Sequence, residues 1–341
     1  MSDNLQIGLA IAGGVILAAV VAHGAWSSRR NAPRQASADD ASSGLSGQEP
    51  TLGESQMETQ PPSARRPAMD PLIDVIATIA LDASNTVLTG EAALAAMPTT
   101  RRVGSKLFTI EGYNLDTLAW EIPTAGRRYG AFQSGVQLAN RSGALNEIEY
   151  SEFVQKTQGF ADAINATPEF PEMLEEVVRA RELDQFASAH DAQLGFTIRA
   201  RSASWSPGFV QQSAMRLGFV SGGIAGRMVL PASTEGGAPV LVLSFDPQAA
   251  LAEDPAQSAI REIVLHLDVA QVDQAENPFE RMRAIATSLA QTMDGVVTDD
   301  HGQRLTDETM DIIGKELAAL YDTLASRDLA AGSMLARRLF S

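Results

Sequence analysis

Chemistry in this chain would have to come from four histidines, a pair of adjacent aspartates or a glycine cluster, because there are no cysteines. That absence excludes disulfides, thiolate-ligated zinc and a thiol nucleophile. His23, His190, His266 and His301 never fall at metal-ligand spacing. Gly222-Gly223-Ile224-Ala225-Gly226 lacks both the glycine spacing and the preceding strand of a dinucleotide-binding turn, and the chain contains no G-x-S-x-G elbow. Asp299-Asp300, beside His301, could pair on a metal, but they also read as a solvated turn ahead of a helix cap. Asn140-Arg141-Ser142 and Asn165-Ala166-Thr167 match the glycosylation sequon, which has no meaning in the cytoplasm. Arg261-Glu262 and the Arg281/Arg283 pair read as surface charges. These residues point to binding rather than catalysis, with no metal, no cofactor and no small-molecule substrate.

Composition narrows the partner. A formal net charge of −16 opposes a nucleic-acid surface, which needs clustered Lys and Arg, and broad docking on anionic lipid. The 45% of hydrophobic residues is enough for a core, and the absence of Cys suits the cytosol.

Leu5 to Ala22 is almost wholly apolar, and about 20 such residues cross a hydrocarbon core of about 30 Å. Trp26 suits the interfacial belt, and Arg29, Arg30 and Arg34 follow the run while only Asp3 precedes it. The positive-inside rule then places the N-terminus outside, in the periplasm, and the rest in the cytoplasm. A cleaved signal peptide would need a basic start, which is missing, although the small residues of Ala22–Ala25 offer a cleavage site. Gly8 and Ala12 form a small-xxx-small pair, or are filler in a Gly/Ala-rich span. Residues 27–69 are rich in Ser, Ala, Gln, Pro and Arg, too polar to offset their ordering entropy. A flexible chain of that length spans roughly 35–40 Å root-mean-square.

Order is expected from Leu72. Strands are predicted at Ile73–Ile79, Lys106–Tyr113 and Tyr129–Asn140, and helices at Gly90–Met97, around Phe153, Thr157, Phe160 and Ile164, and over Glu172–Phe186. A second cycle opens at Gln193, where Leu194, Phe196 and Ile198 alternate with Gly195, Thr197 and Arg199. A helix from Pro207 stops at Gly218, and strands follow at Gly226–Pro231, Pro239–Phe245 and Ile260–Val269. A long helix from Pro278, capped by Asn277 and ended by Gly295, buries Met282, Ile285, Leu289 and Met293. Val296-Val297 is a short strand, and Thr306 caps a last helix. The order β-α-β-β-β-α-β-α predicts an α+β fold, a largely antiparallel sheet with helices on one face. The similar opening of the first cycle leaves room for a second, related α+β unit by duplication.

The arrangement resembles the ZipA family of cell-division proteins. Asp294-Gly295-Val296-Val297-Thr298-Asp299-Asp300, Gln303-Arg304 and Leu305-Thr306 look like the family's Gly-Gly-Val-Val-Leu-Asp-Asp, its basic/Gln turn and the Thr opening its last helix. Leu217-Gly218-Phe219 is similar to its Ala-Gly-Phe. The resemblance spans about 192–325, plus the anchor by architecture. It divides the chain into an anchor (1–26), a linker (27–69), a region of unknown role (70–190), a ZipA-like domain (191–330) and a tail (331–341).

The resemblance implies a protein of the inner membrane, held there through residues 5–26 and acting at the division septum. Its domain would bind the C-terminal peptide of FtsZ on the open face of the sheet, opposite the helices. The face residues carried over are Thr197, Arg199, Ile224, Val242, Ser244, Val264 and His266. Ile224 falls where the family has a groove methionine and His266 where it has a groove phenylalanine. Thr197, Arg199, Ser244 and His266 make this face more polar than the family's. A peptide-binding adaptor of the same fold with a different partner therefore stays open. A one-residue slip in alignment would exchange every assignment with the buried face.

Overall fold

The computed structural model describes residues 69–341, except 83–85, 235 and 253–257. The expected anchor, and the linker up to residue 68, lie outside the described residues. Among the described residues no helix is long and apolar enough to cross a membrane. The chain forms two compact units, one of residues 69–191 with 324–341, the other of residues 192–323.

The N-terminal unit runs through β1 (Asp74–Leu81), β2 (Leu88–Thr89), α1 (Gly90–Ala96), β3 (Arg102–Val103), β4 (Lys106–Asn114), β5 (Ala119–Glu121) and β6 (Arg128–Gln137). It continues with β7 (Ala139–Asn140), β8 (Gly143–Ala144), α2 (Glu147–Ala163), β9 (Ala166–Glu169) and α3 (Met173–His190). Its antiparallel sheet has the order β3-β4-β6-β1-β9, with β2 on β6 and β5 on β4. Alternation along β1 sends Val75, Ala77 and Ile79 into the core, where they meet Phe108, Phe132, Phe153 and Phe160. Asn146 closes a capping box with Glu149 at the start of α2.

The C-terminal unit holds β10 (Gln193–Ala200), α4 (Pro207–Met215), β11 (Val220–Ser221), β12 (Arg227–Leu230), β13 (Leu241–Ser244), α5 (Pro247–Leu251) and β14 (Glu262–Asp268). Next come α6 (Pro278–Met293), β15 (Gly295–Thr298) and α7 (Asp307–Ala325). The antiparallel sheet has the order β11-β12-β13-β14-β10-β15. Phe196 and Ile198, Leu241 and Leu243, and Ile263, Leu265 and Leu267 are buried on one face, as are Met282, Ile285, Leu289 and Met293 of α6.

Two caps differ from expectation. Asn277 adopts a left-handed conformation (φ 48°) and its side chain does not cap α6; Nδ2 donates instead to the Ala275 carbonyl. Asp294 rather than Gly295 closes α6, at φ 54°. Gly295 is already the first residue of β15, where a Cβ would lie 2.8 Å from Ile198 Cγ2 and 3.1 Å from the Arg199 carbonyl oxygen. That glycine is required by close packing, not by its dihedrals.

The two units share the central part of one topology, although the N-terminal sheet has seven strands and the C-terminal sheet six. Each opening strand is eight residues long and lies next to an edge strand of its sheet, β1 beside β9 and β10 beside β15. Its first residue faces the last residue of the strand on one side, Asp74 opposite Gln137 and Gln193 opposite Asp268. Its last residue faces the first of the strand on the other side, Leu81 opposite Ala166 and Ala200 opposite Gly295. Just beyond the ladder, Leu138 N donates to the Ile73 carbonyl at 2.8 Å and Val269 N to the Ala192 carbonyl at 3.1 Å. Both helix-to-strand turns pass through one left-handed residue, Asn165 (φ 51°) and Asp294 (φ 54°), the residue types that tolerate it best after Gly.

Residues 331–341, read from the sequence as a tail, belong to the N-terminal unit. α8 (Met334–Leu339), capped by Ser333, buries Ala336 and Leu339, and Phe340 is buried behind it.

Candidate functional site: the outer face of the C-terminal sheet

The positions of β10, β12, β13 and β14 that alternate with the buried set point away from the core. Strand register assembles them into rows. One row reads Val220, Val229, Val242, His266, Gly195. The next reads Arg227, Ser244, Val264, Thr197, Thr298. At the far end Arg199 faces Glu262, with Nε 3.4 Å from Oε2.

Six of the seven expected residues thus share one face. Val242, Ser244 and Val264 are half-buried, while Arg199 and His266 are exposed. Thr197 points outward but is 8% exposed, and its neighbour Thr298 is 4% exposed, so this corner offers little contact area. Ile224 lies off the sheet, on the turn between β11 and β12, and is 61% exposed. Gly226 shapes that turn: its φ is +73°, and a Cβ there would collide with the Phe245 carbonyl.

Val220 and Val229 were not singled out from the sequence, although the alternation of Val229 with buried Met228 and Leu230 carries the signal. With Val242 they make a contiguous apolar strip, so the face is less polar than its other residues suggested. Such a strip, left uncovered among the described residues and lying beside polar ones, suits an apolar segment of another chain.

His266 sits where the strip turns polar. Its Nε2 is 2.9 Å from Ser244 Oγ. Partial burial, and then the charge of Arg227, hold the imidazole below its usual pKa. A lowered pKa makes the neutral ring the dominant form at pH 7, and its contribution to stability is lost as pH falls below the unfolded value of about 6.5. Arg227→Gln should raise the imidazole midpoint, read by NMR titration of the His266 ring; an unmoved midpoint would show that Arg227 exerts no field there.

The aspartate pair has a structural role. Asp299 Oδ1 accepts from Gln303 N at 2.7 Å in a turn that passes through Gly302 at φ +81°. Asp300 and His301 have side chains 83% and 79% exposed and approach only to 3.8 Å, as in a solvated turn. A cavity of about 530 Å³ borders the edge of β15, between Arg201, Gln291, Arg304 and Glu308, and includes none of the seven face residues.

Residues 245–316 match the family model of the ZipA C-terminal FtsZ-binding domain. The match begins at the end of β13 and runs through β14, α6 and β15 into α7, and it falls on the family that the residues around Asp294–Thr306 resemble. It supports FtsZ binding in cell division. No curated protein matches the chain.

Proposed function

We propose, starting from the match of residues 245–316 to the ZipA C-terminal FtsZ-binding domain, that this chain tethers FtsZ to the inner membrane at the division septum and acts by binding alone. In this reading the helix expected over residues 5–26 is the anchor, and residues 27–68 give the domain its reach. The C-terminal peptide of FtsZ lies on the outer face of the C-terminal sheet, against Val229, Val242, Val264 and His266, with Ile224 at the border. Thr197, Ser244 and Arg199 contribute its polar side. The observation that carries the proposal is the family match, and the apolar strip supplies the physical means.

The test is retention of FtsZ by the full-length chain in detergent, with and without the C-terminal tail of FtsZ. Intact FtsZ should be retained and tailless FtsZ lost. Equal retention of both, or of neither, defeats the proposal. The second reading, an adaptor with a different partner on the same face, draws on the polar group Thr197, Arg199, Ser244 and His266. It predicts that cells carrying a fluorescent fusion show signal over the whole envelope rather than a midcell band.

A further inference from the structure

A cavity of about 470 Å³ lies between the first half of α6 and α7, within the size range of small-molecule sites. Phe279 of α6 and Met310, Leu317 and Tyr321 of α7 line it, all four side chains buried. Positions 310, 314, 317 and 321 share one face of α7 by helical spacing. That stripe is apolar except at Gly314, where an added Cβ would meet nothing within 4 Å but the Phe279 ring, at 3.3 Å. Glycine weakens a helix interior, and here it leaves unfilled the space that a larger side chain would take.

Tyr321 adds a polar group without a purpose in the fold. It is 7% exposed, and among the described residues its buried hydroxyl has no hydrogen-bond partner. A buried phenol with no acceptor is costly, so the position calls for one. Burial, with the charge of Asp273 adding to it, pushes the phenol up to about 12, so at pH 7 it is protonated and able to donate. The rim decides the charge of the acceptor. Asp273, Gln274, Glu280 and Lys315 are exposed, and Arg283 is taken up by Asp307 and Asp311 across the two helices. Two carboxylates against one ammonium disfavour an anion.

We propose that this cavity binds an uncharged small molecule with an apolar body and a carbonyl oxygen, which accepts from the Tyr321 hydroxyl. Phe279, Met310 and Leu317 cover the body, and the exposed side chains of Gln274 and Lys315 yield to admit it. None of the seven outer-face residues lines the cavity, so the site stands whether or not FtsZ binds the sheet.

Three probes of one shape test this on the full-length chain in lipid nanodiscs, where no detergent competes for the cavity. Acetophenone has the apolar ring and the carbonyl, isopropylbenzene lacks the acceptor, and benzoate carries a charge. NMR titration should show saturable shifts of the Met310 and Leu317 methyl groups with acetophenone. Isopropylbenzene should bind about three- to tenfold more weakly, the worth of one neutral hydrogen bond, and benzoate more weakly still. Tyr321→Phe should abolish the preference for acetophenone over isopropylbenzene. Its melting temperature should be unchanged or higher, because the lost hydroxyl had no partner. Ala318→Leu, at an exposed position of the lining, should block all three probes without lowering the melting temperature. Shifts that never saturate, shifts that spare Met310 and Leu317, equal binding of the three probes, or a preference that survives Tyr321→Phe would each overturn the proposal. Should Tyr321→Phe melt lower, its hydroxyl has a partner within the fold and the proposal fails on that ground.

Discussion

Replacing Arg338 by methionine should remove about 3–5 kcal/mol from the N-terminal unit, the cost of stranding a buried carboxylate without its partner. Asp74 is 1% exposed, and its side chain has three bonds in place: two from Arg338 and one from Asp70 N at 2.8 Å. Burial nevertheless pushes the Asp74 pKa up, against the lowering by Arg338, so the desolvation outweighs the pairing. A carboxylate raised in the folded state binds protons more readily there than when unfolded. Its effect on stability is therefore unfavourable above the folded pKa and fades as pH falls towards the unfolded value. Removing Arg338 pushes the pKa higher still. The deficit of Arg338→Met should be largest at pH 8 and shrink by pH 5, in urea denaturation followed by circular dichroism. Adding Asp74→Leu should recover most of the loss, because a buried ion pair replaced on both sides by apolar groups is often neutral or better. A deficit independent of pH would mean that Arg338 acts by packing alone.

This ion pair also marks the limit of what the sequence discloses. Residues Arg337-Arg338-Leu339-Phe340 look like a short basic tail because the partners of Arg338 lie 264 and 201 positions earlier, at Asp74 and Gln137. No local pattern encodes such a pairing. Where one period rules an element, reading is direct. Leu194, Phe196 and Ile198 alternate along β10, and Met282, Ile285, Leu289 and Met293 recur along α6, where all four are buried. Two-residue strands such as β7 and β8 have no period of their own to read: residues 139–140 were expected only as the end of the Tyr129–Asn140 strand, and β8 was not expected. The same limit applies to the site. Alternation placed Val242, Ser244, Val264 and His266 on the outer face, but it says nothing of depth, and Thr197 points outward while being nearly covered. The common topology of the two units is hidden for a related reason. It is held by register and by turn geometry at Asn165 and Asp294, and the side chains that share a position, Asp74 and Gln193 or Gln137 and Asp268, are not the same.

Trp205→Ala should be the most damaging single change in the C-terminal unit, at about 3–5 kcal/mol from the cavity alone. The ring is fully buried, and its Nε1 donates to the Met293 carbonyl at 2.7 Å. Met293 ends α6 and Asp294 turns the chain into β15, so one indole ties the loop after β10 to the helix-to-strand turn that the family match includes. The backbone of Trp205 is also held, through bonds of 2.7 and 2.8 Å with Ile260. Loss of the side chain therefore leaves a cavity next to backbone that cannot easily close over it. It also leaves a buried carbonyl without its donor, worth roughly a further 1–3 kcal/mol. Trp205→Phe keeps a six-membered ring but loses the pyrrole part with its donor, so its deficit should exceed that second figure and stay below that of Trp205→Ala. Urea denaturation of both variants separates the two contributions. The outer face depends on this anchor through β15, which pairs with β10 over residues 197–200 and so supports Thr197 and Arg199. FtsZ affinity should accordingly follow the folded fraction, lost in Trp205→Ala at temperatures where Trp205→Phe still binds. An alanine variant that unfolds early yet binds FtsZ normally would place the binding surface outside the unit that Trp205 holds together.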